Sequence, residues 1–245
     1  SWKLCAIAAL STTLLNTTFA QKVALTAYVD VSTAAITGLS AIIGWHMLGA
    51  LRHGRHKETN RLALQIGLLM SLLVNLKQST MAMAVIIIGS LLLTGIRDPR
   101  IKSYDLISLF PKMVIPAIII YTTWRYYVSQ ELTGNEMQIL PYSSWVIEYI
   151  PQILKTMLLI LSKKGAYLLL MLAIIYFGTR GFIHYKTPFD RFAIIAAAIF
   201  LGHNTFLLFS YVTVFGKTDA LKASSYWRYN MQLGLVGVAF TAYGA

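Results

Sequence analysis

The segment LALQIGLLMSLLVNLKQSTMAMAVIIIGSLLLTGI (62–96) decides the fold of this chain. It consists of two apolar runs joined by the short polar stretch LKQST (76–80). Each run approaches the ~20 residues that a helix needs to cross the hydrocarbon core of a bilayer. Because the stretch between them is only long enough for a turn, the segment predicts a transmembrane helical hairpin with Lys77 at its tip.

The whole sequence shares this apolar character. Its 245 residues are 57% hydrophobic and 12% charged, and the mean hydropathy is +0.63, which is too apolar for an ordinary soluble domain. The apolar runs show neither the alternation of a β-barrel nor the repeat of a solenoid. We therefore predict an all-α, polytopic integral membrane protein, a single domain over 1–245 with about six to eight transmembrane helices.

Three short loops carry much of the basic charge behind the formal net charge of +12. They are RHGRHKETNR (52–61), IRDPRIK (96–102) and TRGFIHYKTPFDR (179–191). Short loops rich in Lys and Arg face the cytoplasm, and this topology explains the charge better than nucleic-acid binding, which we exclude. The opposite, outer face then carries Asp30, the turn at 75–79 and the loop 216–229.

Residues 125–164 form the longest outer loop in this topology. Within it, YIPQILKTMLLILSKKG (149–165) is amphipathic and ends in two lysines, which is typical of an interfacial helix lying along the membrane plane. A short crossing helix is the alternative, but it would disrupt the placement of the basic loops on one side. In the preceding helix, 104–124, we expect a kink or an irregular stretch at Pro111 and Pro116.

The two ends of the sequence suggest a piece of a longer chain. The sequence starts without Met, and its last apolar run, 231–245, is short for a membrane crossing. A second interpretation of the first 21 residues is a secretory signal, because a lysine and an apolar stretch precede small residues at Thr18 and Ala20.

Lys77 and its neighbour Gln78 are candidate substrate-binding residues. An ammonium group flanked by amides near the membrane surface suits the phosphate or pyrophosphate of a lipid, because it supplies charge and hydrogen-bond donors. The alternative is a lysine that ends a helix and extends its amine towards the interface.

Asp30, in AYVDVST (27–33), is a candidate for catalysis. A carboxylate at this membrane face can accept a proton from a sugar hydroxyl or bind a divalent cation. Its place at a predicted helix start equally suits a helix cap.

The stretch ASSYWRYN (223–230) supplies Tyr226, Arg228 and Tyr229 as further candidate substrate-binding residues. If the stretch is helical, both tyrosines share a face with Lys222, while Arg228 shares another face with Ser224. The guanidinium can then bind a phosphate through two hydrogen bonds, with the tyrosines beside a sugar ring. An aromatic belt with an arginine reaching to the interface is the alternative.

The other reactive side chains form no recognised motif. The single cysteine, Cys5, excludes an intrachain disulfide and a cysteine-based metal site. The five histidines lack metal-ligand spacing and are interpreted as loop or packing residues; they are His46, His53, His56, His184 and His203. We predict no metal site built by the protein, and a divalent cation stays open as a cofactor.

Four stretches resemble the GT-C class of polytopic membrane glycosyltransferases, in the bacterial branch that assembles cell-envelope polysaccharides or glycolipids. They are AYVDVSTAAITGL (27–39), LLMSLLVNLKQSTMAMAVII (68–87), IIIYTTWRYYV (118–128) and FLLFSYVTVFGKTDALKASSYWRYN (206–230). The resemblance implies an enzyme of the bacterial inner membrane, with a polyprenyl-phosphate-linked sugar as donor and a glycan or lipid as acceptor.

The resemblance also implies roles for individual residues. Lys77, Gln78, Tyr226, Arg228 and Tyr229 match positions that would bind the donor phosphate or a lipid headgroup. The catalytic base of the class is an outer-face carboxylate near the N-terminus, and no acidic motif here matches it. The base is therefore not assigned, and Asp30 is carried forward only as a candidate.

Two other functions stay open. A transporter or flippase for a lipid-linked glycan would carry polar residues at mid-membrane and inverted repeats. A noncatalytic structural subunit would use the same aromatic and basic residues to bind membrane lipids, and it would have membrane-protein partners.

Overall fold

The computed structural model of the protein describes residues 29–131 and 138–244. Within these two ranges the chain forms helices and short 3-10 turns, without a β-strand. The α-helices are α1 (Asp30–Arg52), α2 (His56–Leu76), α3 (Thr80–Arg97), α4 (Ser103–Glu131), α5 (Ile150–Ser162), α6 (Gly165–Ile183), α7 (Pro188–Thr213), α8 (Lys217–Leu221), α9 (Tyr226–Asn230) and α10 (Gly234–Gly244). The 3-10 turns are Tyr142–Ser144, Ile147–Tyr149 and Met231–Leu233. The possible signal segment, 1–21, lies outside the described residues.

Seven helical stretches in the described ranges are long and apolar enough to cross a membrane. Six are the helices α1, α2, α3, α4, α6 and α7, and the seventh is Tyr142–Ser162, which ends with α5. Because a spanning helix satisfies every backbone hydrogen bond internally, this composition is what a bilayer requires. The prediction of an all-α, polytopic integral membrane protein is confirmed.

The hairpin predicted for 62–96 is confirmed as α2 and α3. Helix α2 ends at Leu76, Lys77 adopts an extended backbone with φ −167° and ψ 149°, and α3 begins at Thr80. The Thr80 hydroxyl closes the turn, because its hydrogen points at the carbonyl of Lys77, 2.6 Å away, and at that of Leu73. The turn thereby holds Lys77 at one end of the helix bundle.

Small residues let the helices approach closely. A Cβ atom on Gly178 of α6 would lie 2.3 Å from the Ala197 Cβ of α7, so these two helices pack almost backbone to backbone. In a bilayer, where lipid is as apolar as leucine, such close contact is what holds helices together.

Helix α4 is one continuous α-helix that contains both Pro111 and Pro116, so the predicted irregular stretch is wrong and the predicted kink stays a prediction. Pro116 has no N–H for the carbonyl of Lys112, four residues earlier. That carbonyl instead points at Gly67 of α2, where a Cβ atom would lie 2.2 Å from the oxygen. The glycine on the neighbouring helix therefore accommodates the group that the proline leaves unbonded.

The three basic loops lie together at one end of the bundle, as predicted. The Nη2 atom of Arg97 donates to the Ile183 carbonyl at 2.8 Å, and the Tyr185 hydroxyl donates to Asp98 at 2.9 Å. Arg52 lies 3.7 Å from the same Asp98. We call this the basic-loop end, and we call the opposite end, with Asp30 and Lys77, the Lys77 end. That the basic-loop end is cytoplasmic stays a prediction.

Both ends of the α5 region contact the Lys77 end. Before α5, the Val146 amide donates to the Val212 carbonyl at 3.2 Å, near the end of α7. After α5, the Lys164 amine lies 5.2 Å from the centre of the Trp227 ring. The 13 residues of α5 measure ~20 Å, less than the hydrocarbon core. This placement agrees with a helix that lies across the Lys77 end.

Candidate functional site at the Lys77 end

The stretch ASSYWRYN is not one continuous helix. Ala223 and Ser225 have positive φ angles, 44° and 62°, and α9 begins only at Tyr226. The left-handed backbone interrupts the helical register, so Lys222 does not share a helical face with Tyr226, and Ser224 does not share one with Arg228. The predicted faces were wrong for this reason.

Three tyrosine hydroxyls fix this stretch to the bundle. Tyr211 donates to the Ser224 carbonyl at 2.8 Å, Tyr226 donates to the Asn204 side chain at 2.6 Å, and Tyr167 donates to the Asn230 side chain at 3.0 Å. Tyr226 is only 2% exposed, and burial raises the pKa of its hydroxyl to about 12. Of the predicted substrate-binding residues, Tyr226 is thus placed as an anchor in the core.

Asp30 is bound by side chains from the far end of the sequence. Gln232 Nε2 donates to Asp30 Oδ1 at 2.7 Å, and Arg228 Nε lies 3.6 Å from Oδ2. The cap position of α1 is Val29, which makes no capping side-chain bond. The alternative of a helix cap is therefore wrong, and the 6% exposed carboxylate joins α1 to the α9 region.

Arg228 bridges the buried carboxylate and the protein surface. Its Nη2 donates to the Tyr229 hydroxyl at 3.2 Å, and its guanidinium lies 5.0 Å from the centre of the Tyr229 ring. The Arg228 side chain keeps 30% of its surface exposed. Asp30 therefore orients the guanidinium from within the protein, and part of the Arg228 side chain reaches the surface.

A cavity of about 40 Å³ lies next to Tyr229 and Gln232. Its polar lining comes from Lys77, Ser79, His203, Ser210, Tyr229 and Gln232. Gln232 links the cavity directly to Asp30. The volume suits on the order of one to three water molecules and is too small for a sugar ring. Lys77, which lines the cavity, is exposed.

Of the six predicted residues, Lys77 and Tyr229 line the cavity, while Arg228 bonds to Tyr229 and Asp30 bonds to the lining residue Gln232. Gln78 is exposed on the hairpin turn beside Lys77, and the turn residues that line the cavity are Lys77 and Ser79. Tyr226 faces Asn204 instead.

Two residues of the site were missed as ligand-binding candidates. His203 was interpreted as a packing residue, and its Nε2 lies 3.0 Å from the Tyr229 carbonyl. Since a carbonyl oxygen only accepts hydrogen bonds, Nε2 carries the hydrogen. Gln232 was not considered, although a polar amide at the start of the apolar run 231–245 is a recognisable signal.

The described part of the chain contains no group of three or more His, Cys, Asp or Glu side chains placed to hold a metal ion. Protein-family profiles, curated proteins and solved structures give no match to this chain. Functional argument therefore starts from the geometry of the Lys77 end.

Proposed function

We propose that this protein is a membrane glycosyltransferase that uses a polyprenyl-phosphate-linked sugar donor at the Lys77 end. The observation that supports it is that Lys77, from the α2–α3 turn, and Tyr229 line one cavity, with Arg228 bonded to Tyr229 and Asp30 bonded to the lining residue Gln232. Two cations, one carboxylate and an aromatic hydroxyl in a partly buried place suit a sugar phosphate better than bulk lipid.

The two cations would bind the donor phosphate. Transfer of the sugar breaks the bond between the sugar and the phosphate oxygen, and negative charge develops on the departing phosphate. The ammonium and guanidinium groups would stabilise that charge more in the transition state than in the bound donor. Their effect is larger in a partly dehydrated site than in water.

Asp30 would act as a positioning residue for Arg228. One of its oxygens accepts the Gln232 amide and the other faces the guanidinium, so the carboxylate orients both donors from within the protein. A freely rotating arginine would lose more side-chain entropy on binding a phosphate. The base that accepts the proton of the acceptor hydroxyl is not assigned to Asp30.

The helix α5 would cover the donor at the Lys77 end. Its buried side chains, Ile153, Met157 and Leu161, recur every fourth residue and pack on the bundle, while Leu154 and Leu158 on its other faces are exposed. This amphipathic arrangement suits a helix at the interface between headgroups and hydrocarbon. The polyprenyl chain would then extend beside α5 into the bilayer.

A transfer assay tests the proposal. The full chain is reconstituted in vesicles with a polyprenyl-phosphate hexose carrying radiolabel in the sugar, together with extracted bacterial glycolipids as acceptors. We expect labelled glycolipid from the wild type and at least about a hundredfold less from Lys77→Met and Arg228→Met, because each removes a charge that stabilises the leaving phosphate. The matched control, Lys222→Met, removes an exposed lysine of the same loop and should retain activity.

A noncatalytic lipid-binding subunit is the second candidate. It is favoured by one observation: both oxygens of Asp30 already face protein donors. This candidate predicts that the wild type binds the donor and leaves the sugar on it. Unchanged label in the donor, with binding that still requires Lys77, would select the subunit over the enzyme.

A further inference from the structure

Arg191 is a buried arginine at the basic-loop end, opposite the proposed active site. It lies in the first turns of α7 and is 6% exposed. Its guanidinium lies 5.4 Å from the centre of the Trp45 ring. With residues 29–131 and 138–244 it forms no side-chain hydrogen bond or ion pair, and its Nε is fully shielded from solvent. A buried guanidinium without an acceptor is a costly arrangement.

A second arginine beside it is also incompletely bonded. Arg52 lies 3.7 Å from Asp98, and its buried Nε has no acceptor in the described ranges. Asp98 meanwhile accepts the Tyr185 hydroxyl at 2.9 Å and the Arg100 amide at 3.0 Å. Asp98 thus faces Arg52 and two further donors, and no carboxylate in the described ranges pairs with Arg191. The cluster carries one uncompensated positive charge.

The pKa of Tyr185 depends on the charges of Asp98, Arg191 and Arg52. Burial raises the pKa of its hydroxyl well above the usual value, and the hydrogen bond to Asp98 raises it further. The positive charges of Arg191 and Arg52 oppose that rise. Both arginines are therefore close enough to the Asp98–Tyr185 pair for their fields to reach it.

Two other carboxylates near the basic-loop end are bound to other arginines. At the basic-loop end, Asp190 binds Arg180 at 3.1 Å and Glu58 binds Arg55 at 2.9 Å. Within residues 29–131 and 138–244 the Arg191 guanidinium therefore has no carboxylate partner, a place that a bound anion would fill.

We propose that Arg191 and Arg52 form a binding site for a phosphate group at the basic-loop end. A guanidinium presents a planar pair of donors that matches phosphate oxygens, and the bound anion would supply the missing charge and acceptors. Arg100 and Lys102, which are exposed in the loop after Asp98, add positive charge that attracts anions. The phosphate comes from an anionic phospholipid headgroup or from free phosphate in solution. The site is separate from the Lys77 end and does not rest on the proposed transferase activity.

Thermal unfolding of the full chain in zwitterionic detergent tests the proposal. The protein is titrated with short-chain phosphatidylglycerol, with inorganic phosphate, and with sodium chloride at matched ionic strength. We expect a saturable rise of Tm in the wild type with at least one phosphate compound and not with chloride. Arg191→Met should weaken the apparent affinity at least about tenfold. Without phosphate, this variant should be at least as stable as the wild type, because it removes an unpaired buried charge.

Two further variants keep the test decisive. Arg191→Lys retains the charge but lacks the paired donors, so it should fold and bind phosphate more weakly than the wild type. Lys186→Met removes an exposed cation of the same loop and should retain most of the Tm shift. A shift with phosphatidylglycerol alone identifies a lipid headgroup, and a shift with inorganic phosphate identifies a soluble anion. No shift with either compound, or equal shifts in the wild type and Arg191→Met, would overturn the proposal.

Discussion

Asp30 and Gln232 are 202 positions apart in sequence, and a hydrogen bond of 2.7 Å joins their side chains in a buried place at the Lys77 end. The bond connects the start of the first described helix to the turn after α9. Arg228 Nε also lies 3.6 Å from the Asp30 carboxylate. The candidate site therefore forms only when these distant parts of the sequence fold together.

We predict that Asp30 and Arg228 are energetically coupled. Asp30→Ala should lower the free energy of unfolding by about 3 kcal/mol, because it leaves a partly buried guanidinium without its carboxylate. The double variant Asp30→Ala with Arg228→Ala should lose less than the sum of the single losses, with a coupling of ~1 kcal/mol or more. Denaturant unfolding in mild detergent measures all four proteins. Additive losses would show that the pair contributes no coupling.

The two tyrosines of α9 should respond differently to loss of the hydroxyl. Tyr226→Phe removes the donor to Asn204 and should cost about 1 kcal/mol of stability, with donor binding unchanged in the protein that remains folded. Tyr229→Phe removes a hydroxyl at the cavity mouth and should weaken binding of the lipid-linked sugar while Tm changes little. Parallel measurements of Tm and of donor affinity separate the two. If Tyr226→Phe weakened donor binding and Tyr229→Phe lowered Tm, Tyr229 would be the anchor and Tyr226 the binding residue.

Gly67 should be intolerant of any side chain. Gly67→Ala would place a methyl group 2.2 Å from the Lys112 carbonyl, so α2 and α4 would have to separate, at a cost of ~2 kcal/mol or more. The matched control is Gly89→Ala in α3, where a Cβ meets nothing within 4 Å and stability should stay equal or rise slightly. Thermal unfolding of both variants decides whether the two helices are held at backbone contact.

The orientation in the membrane is open to direct measurement. With Cys5 replaced by serine, single cysteines at Lys57 and Lys186 should react only with reagent on the cytoplasmic side, and one at Lys222 only from outside. A membrane-impermeant maleimide on intact and permeabilised cells reads this out. Labelling of Lys57→Cys from outside would reverse the topology and place the Lys77 end in the cytoplasm.

The sequence predicted the hairpin and the shared end of the basic loops well, because both follow from local patterns. Apolar runs on either side of LKQST permit only a turn, and loops rich in Arg and Lys sort to one side of the bilayer. Those rules need no knowledge of tertiary contacts.

Predictions from the sequence were wrong where a residue's environment is set by residues far away in the sequence. Asp30 ahead of Ser32 suggested a helix cap, and nothing near it pointed to Gln232. At Ala223 and Ser225 the backbone is left-handed without a glycine or asparagine to announce it, so the helical faces drawn through 222–230 were out of register. In α4, the carbonyl that Pro116 leaves unbonded is accommodated by Gly67 on another helix, which no local rule can anticipate.

The measurement that tests the central claim most directly compares polyprenyl phosphate with the uncharged polyprenol. The purified chain in nanodiscs is titrated with each, for the wild type, Lys77→Met, Arg228→Met and the control Lys222→Met. We predict that the wild type and the control bind polyprenyl phosphate at least about tenfold more tightly than polyprenol, and that Lys77→Met and Arg228→Met lose this preference. Equal affinity for both lipids in the wild type, or a preference that survives both substitutions, would contradict a phosphate site at the Lys77 end.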